Sequence, residues 1–131
     1  SDAEVSAMIL NHVALVCRSE KNADRFFQGL LGLTRLKDKT APADLTAALF
    51  GLQRSLPMID YGDEGVKFEI FIDSEATIPE GNTAHVCLET SDRAGLIARA
   101  RSLNLEVRSF AKEGRDVVFI RDFDGNLFEM K

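Results

Sequence analysis

Apolar positions recur along this chain with two periods, about 2 and about 3.6, and the order in which the periods alternate is itself repeated. Residues 9–17 form an apolar, β-branched run, which predicts a strand. Ser19 follows as an N-cap. Behind it Ala23, Phe26, Phe27, Leu30 and Leu31 recur at the spacing of one helix face, and Gly32 is placed to end that helix. Residues 34–37 read as a short strand. Residues 56–61 and 66–72 flank Gly62-Asp63-Glu64-Gly65 as a hairpin, with Pro57 marking its first strand as an edge or as a strand that begins there.

The second half runs through the same order. Residues 83–89 predict a strand, and Ser91 or Asp92 caps a helix that carries Leu96, Ile97, Ala100 and Leu103 on one face. Residues 105–110 predict another strand. Residues 117–120 and 127–130 then flank Asp124-Gly125-Asn126, a strong hairpin signal. Each half therefore reads strand, helix, strand, strand, strand. The first half is longer because residues 41–52 add one short helix, with Pro42 before it, Leu45, Ala48, Leu49 and Leu52 at helical spacing, and Gly51 to close it.

Composition narrows the function. The chain has 131 residues, 45% hydrophobic and 28% charged, with a net charge of -5. That length favours one folded unit, here residues 8–131 with modules at 8–73 and 83–131, behind an N-terminal tail at 1–7. Nucleic-acid binding calls for a basic surplus, which is absent, so no nucleic-acid partner is expected. No run approaches the ~20 apolar residues of a membrane span, and the first seven residues lack the features of a signal peptide. The expected setting is the cytoplasm, without a membrane partner. Two cysteines, Cys17 and Cys87, are too few for a disulfide framework, and both read as small buried hydrophobes.

The repeat also aligns chemistry. The chain holds two histidines, and His12 and His85 occupy the same place, in the first strand of each half. Glu69 and Glu129 share the equivalent place in the last strand. Side chains alternate along a strand, so the mostly apolar neighbours of these four residues point the opposite way, toward the helices. All four then lie on the helix-free face, which becomes the inside of a cup if the two sheets curl together. Two imidazoles and two carboxylates suit Zn, Ni, Co, Mn or Fe(II). A lone strand Glu or His is ordinarily a solvated or hydrogen-bonded side chain, and Lys67 beside Glu69 fits that reading. The equivalence of all four positions is what points to a shared divalent metal.

Certain motifs carry a resemblance. They are Asn11-His12-Val13-Ala14-Leu15, Phe26-Phe27-Gln28-Gly29-Leu30-Leu31-Gly32-Leu33 and Phe68-Glu69-Ile70-Phe71 in the first half. In the second they are Ala84-His85-Val86-Cys87-Leu88 and Arg121-Asp122-Phe123-Asp124-Gly125-Asn126-Leu127-Phe128-Glu129. Over residues 9–131 the chain resembles the vicinal oxygen chelate superfamily, which includes glyoxalase I, bleomycin resistance proteins and extradiol dioxygenases. The resemblance implies an α+β fold of two βαβββ modules, forming a curved mixed sheet or half-barrel cup with the helices on its outer face.

It also implies one divalent metal ion (Ni, Zn, Co or Mn) held by His12, Glu69, His85 and Glu129, and most resembles glyoxalase I in having a Glu at position 69. The implied activity is that of a lyase or isomerase of the lactoylglutathione lyase kind. Its metal captures the vicinal oxygens of a small-molecule substrate, and an enediolate forms by proton transfer. Glu129 is the expected base and Glu69 the second catalytic carboxylate. Relatives on the same scaffold supply the alternatives: a thiol transferase, a dioxygenase, or a metal-free drug- or metabolite-binding protein. Glyoxalase I relatives grip glutathione with an Arg and an Asn, where this chain has Val16 and Asp73. These departures leave the co-substrate open between glutathione, a different thiol and another chelating substrate. A homodimer is expected, with the cup built either within one chain or across two.

Overall fold

The computed structural model describes residues 6–131, so most of the expected tail lies outside the described residues. Two four-stranded mixed sheets, neither closed into a barrel, carry the repeat. In the first module β1 (Val13–Cys17) leads to α1 (Glu20–Ala23), which continues as a π-helical segment (Asp24–Leu30). Then come β2 (Thr34–Ala41), α2 (Ala43–Phe50), β3 (Leu56–Gly62) and β4 (Lys67–Ile72). The second module has β5 (Val86–Leu88), α3 (Arg93–Ser102), β6 (Val107–Lys112), β7 (Arg115–Arg121) and β8 (Leu127–Met130). The strand orders β1-β4-β3-β2 and β5-β8-β7-β6 are the same order twice. In each sheet the first strand runs parallel to the last, and the other pairings are antiparallel. The α+β fold of two βαβββ modules is thus present.

The helix boundaries follow the local chemistry. Ser19 Oγ accepts the Asn22 N–H at 3.1 Å, and Asp92 Oδ1 accepts that of Gly95 at 2.9 Å, each satisfying an orphan donor of a first turn. The inserted helix α2 starts after Pro42 and ends at Gly51, whose φ of 71° is a left-handed conformation that costs glycine nothing. The segment after α1 departs from the expected α-helix. The Leu31 N–H reaches back five residues to the Phe26 carbonyl at 3.0 Å, and the adjacent Phe26 and Phe27 are both fully buried.

Strands β1 and β5 begin later than the apolar pattern suggests, at Val13 and Val86 rather than at residues 9 and 83. Both are edge strands paired in parallel, and pairing begins near the start of the neighbour. Val13 faces Phe68, one residue into β4, and Val86 faces Phe128, one residue into β8. His12 and His85 therefore immediately precede their strands. Met8, Ile9 and Leu10 remain 95%, 88% and 79% exposed. Pro57 lies in a central strand but near its start. Pairing of β3 with β4 begins only at Met58, so the missing N–H interrupts no bond to β4.

One aromatic cluster joins the modules. Phe128 of β8 stands 4.8 Å from Phe26 and 6.1 Å from both Phe27 and Phe68, centroid to centroid. The sheets therefore share a core through their inner faces. Phe68, Ile70, Phe128 and Met130 are buried there, while the intervening Glu69 and Glu129 project from the opposite faces. Among the described residues, no helix is long and apolar enough to cross a membrane.

Candidate metal centre

The sheets bring the four candidate ligands together as two pairs. In the first module His12 Nδ1 lies 3.5 Å from Glu69 Oε2. In the second, His85 Nε2 lies 3.3 Å from Glu129 Oε1. Two donors each about 2.1 Å from a common divalent ion are separated by roughly 3.0–3.4 Å for octahedral or tetrahedral angles. Both pairs are close to that spacing, so the donor set fits a metal. The pairs do not merge within one chain. Among the described residues, the one group of three or more possible ligands within 4.8 Å of each other is Cys17, Asp122 and Asp124. The arrangement in one chain is two half-sites, and a single four-ligand centre is not assembled there.

The second pair is the better organised. His85 Nδ1 is 2.8 Å from the Thr83 carbonyl. A carbonyl only accepts, so Nδ1 carries the hydrogen and Nε2 faces Glu129, the arrangement that orients many metal-binding histidines. The imidazole also meets the Phe119 ring edgewise at 4.9 Å, and Phe119 lies opposite Glu129 in the β7–β8 register. In the first pair His12 Nδ1 is 2.7 Å from Asn11 Oδ1, so the same nitrogen that faces Glu69 also meets a neighbour's amide oxygen. Lys39 and Lys67 approach Glu69 at 3.7 and 4.0 Å and the buried Asp60 at 3.1 and 3.7 Å, offsetting the two carboxylates. Asp60, opposite Glu69 in the register, was not singled out in the sequence. Nothing in its local pattern distinguishes it from a surface strand Asp.

The Cys17 cluster is a joint between modules. Asp122 accepts the N–H groups of Asp124 and Asn126, both at 2.9 Å, and the Asn126 side-chain amide at 2.7 Å. The Cys17 thiol lies 3.7 Å from Asp122, and the Asn126 amide also donates to the Val16 carbonyl at 2.8 Å. Burial, then the charges of Asp122 and Asp124, push the Cys17 thiol far above its usual range, and burial raises Asp122 as well. A metal here would need the thiolate that this environment opposes. Cys17 is core, as its pattern indicates. Cys87 is not: it is exposed, opposite Glu129 in the β5–β8 register, because β5 is an edge strand whose outer face has no cover.

Beside the first pair is a hollow of about 460 Å³, lined by Ala14, Val16, Phe50, Leu52, Phe71 and Asp73 among others. An unpaired Asp73 carboxylate would repel an anionic co-substrate, but here it is ion-paired. Arg54 Nη2 reaches both Asp73 oxygens, at 2.7 and 2.6 Å, and this partner holds the carboxyl below its usual range.

No protein-family model and no curated protein matches the sequence. Solved structures do match in shape. The glyoxalase family protein from Enterococcus faecalis superposes with a TM-score of 0.70 at 20% identity, over 93% of this chain and 95% of that one. Fosfomycin resistance protein FosX from Mesorhizobium loti gives 0.71 at 16% identity, over 95% and 91%. FosX from Listeria monocytogenes, solved with Mn(II) and sulfate ion, gives 0.70 at 18% identity, over 95% and 92%. At these identities the likeness is one of fold: this chain is built on the architecture of glyoxalase-family and FosX proteins.

Proposed function

We propose that the protein is a divalent-metal-dependent lyase or isomerase with glyoxalase I-like chemistry on a small vicinal-oxygen substrate. We further propose that its metal centre is completed by a second copy of the chain. The observation that carries this reading is the pair of His–Glu half-sites at equivalent repeat positions, each with ligand-like spacing. In a twofold dimer, His12 and Glu69 of one chain meet His85 and Glu129 of the other, twice. The uncovered apolar side chains of Met8, Ile9, Leu10 and Phe110 are consistent with such association.

A bound divalent cation supplies Lewis-acid polarisation of a substrate carbonyl. Glu129 accepts the proton of the adjacent C–H and returns it to the neighbouring carbon. Glu129 is partly exposed on the outer face, where a substrate reaches it, and Phe119 and Leu127 cover part of that face. His85 is held in one tautomer by Thr83, which fixes the nitrogen presented to the centre. Glu69 is the second carboxylate, and Lys39 and Lys67 limit the charge around it.

The FosX neighbours favour a second reading, in which a small phosphonate is the substrate. One Listeria FosX structure contains Mn(II) and dihydroxypropylphosphonic acid. In this chain, Arg108 and Arg121 on the face of Phe119 are both engaged by Glu106, at 2.9 and 3.1 Å, which weakens the case for a phosphonate there. Product analysis separates the two. With metal-loaded protein, a 2-oxoaldehyde plus a thiol should give a 2-hydroxyacyl thioester, the former aldehyde hydrogen (or solvent hydrogen that exchanged on Glu129) ending on the former ketone carbon. No thioester product would overturn the lyase reading.

A further inference from the structure

We propose that the hollow beside His12 and Glu69 seats an apolar, ring-sized substituent of the substrate whose oxygens face the metal centre. This rests on the metal-centre reading above. The register sets the geometry. Ala14 pairs with Glu69 and Val16 with Phe71, so these side chains follow one another on the same outer face. Glu69 and Phe71 are two residues apart along β4, or about 7 Å. A molecule chelated at the His12–Glu69 pair therefore extends directly over Val16 and Phe71.

The lining selects the substituent. Phe50, at the end of α2, meets Phe71 edge to face at 5.4 Å and 79°, forming one aromatic corner. Leu52 and Val16 continue the apolar surface. The volume, about 460 Å³, falls within the range of small-molecule sites. Asp73 is the single ionisable side chain in the lining, and Arg54 occupies both of its oxygens. An anionic tail finds no free cation there, and a cationic tail finds its carboxylate already taken. The second module has no helix equivalent to α2, so the inserted segment builds this corner beside one half-site only. Phe50 remains 52% exposed, an aromatic face open to a ligand.

The test uses two chelators with one head group. Acetohydroxamate and 3-phenylpropionohydroxamate are titrated calorimetrically into metal-loaded protein. The phenyl compound should bind at least ~10-fold more tightly, as expected when a ring leaves water. Phe71→Ala and Val16→Arg should abolish the preference and leave acetohydroxamate affinity unchanged. Equal affinities in the wild type, or a preference that survives both substitutions, would overturn the proposal.

Benzyl alcohol, which lacks a chelating head, is titrated into metal-free protein and followed by methyl NMR. Shifts at Val16 and Leu52 with no hydroxamate binding would sink the metal reading and support the apolar seat. No shift at either residue would overturn the seat, as would contacts showing that a second copy of the chain fills the hollow.

Discussion

His85 presents Nε2 to Glu129 at 3.3 Å while its other ring nitrogen is held by the Thr83 carbonyl at 2.8 Å. One imidazole is thus oriented from both sides, by backbone and by carboxylate, at the mouth of an edge strand. This is how a ligand is pre-set before a metal arrives, and it makes the carboxylate the variable partner. Replacing Glu129 with Gln keeps the size and removes the base. Turnover should fall by about 10²–10⁴-fold. Far-UV circular dichroism and the melting temperature should stay near wild type, because the side chain lies outside the core. A fully active Glu129→Gln protein would remove this residue from the mechanism.

The residue beside it behaves in the opposite way. Phe128 is fully buried against Phe26, Phe27 and Phe68, the contacts that join the modules. Phe128→Ala should cost about 3–5 kcal/mol in urea unfolding. A loss below 1 kcal/mol would mean that the modules do not depend on this cluster.

The two thiols should separate by reactivity. Cys87 is exposed and Cys17 buried. Partial desolvation, then the charge of Glu129, raises the Cys87 thiol, so its alkylation should be slow at neutral pH and quicken as pH rises. Native protein treated with iodoacetamide should gain one label, on Cys87, by mass spectrometry. Labelling of Cys17 in the native state would contradict the buried joint.

Alkaline stability follows from the same burial. Cys17 and Tyr61 both titrate far higher when folded than when unfolded, mainly because burial opposes the charged form. A folded pKa above the unfolded one gives stability that is complete below the unfolded value and is lost above it. Unfolding free energy should therefore decline as pH rises from about 9 through 10, the unfolded thiol and phenol values. Cys17→Ala should flatten the first part of that decline. An unchanged slope would place the alkaline sensitivity elsewhere.

Much of this was legible in the sequence. The alternation around Glu69 and Glu129 placed both carboxylates opposite the core residues Phe68 and Phe128. Pro42 and Gly51 bracketed α2 to the residue. Other features depend on partners remote in sequence. Where β1 and β5 begin is decided by where their parallel neighbours β4 and β8 begin. The exposure of Cys87 follows from the edge position of β5. The pairing of Asp73 with Arg54 spans a hairpin, and no periodicity reveals it. The division of the four candidate ligands into two pairs arises because the sheets share a core through their inner faces, which local pattern does not encode.

The central claim, a metal centre shared between two chains, is tested most directly by counting metal in mixed dimers. One chain carries His12→Ala and Glu69→Ala, and the other His85→Ala and Glu129→Ala. Elemental mass spectrometry is run after loading with Ni, Co, Zn and Mn and desalting. Wild type should retain about one divalent ion per chain, given a four-ligand site. Each double variant alone should retain none. Co-expressed with two different affinity tags and purified through both, the heterodimer assembles one intact centre and should hold about half the wild-type content per chain. A wild type that holds no metal, or a mixed dimer that recovers none, would contradict the shared centre.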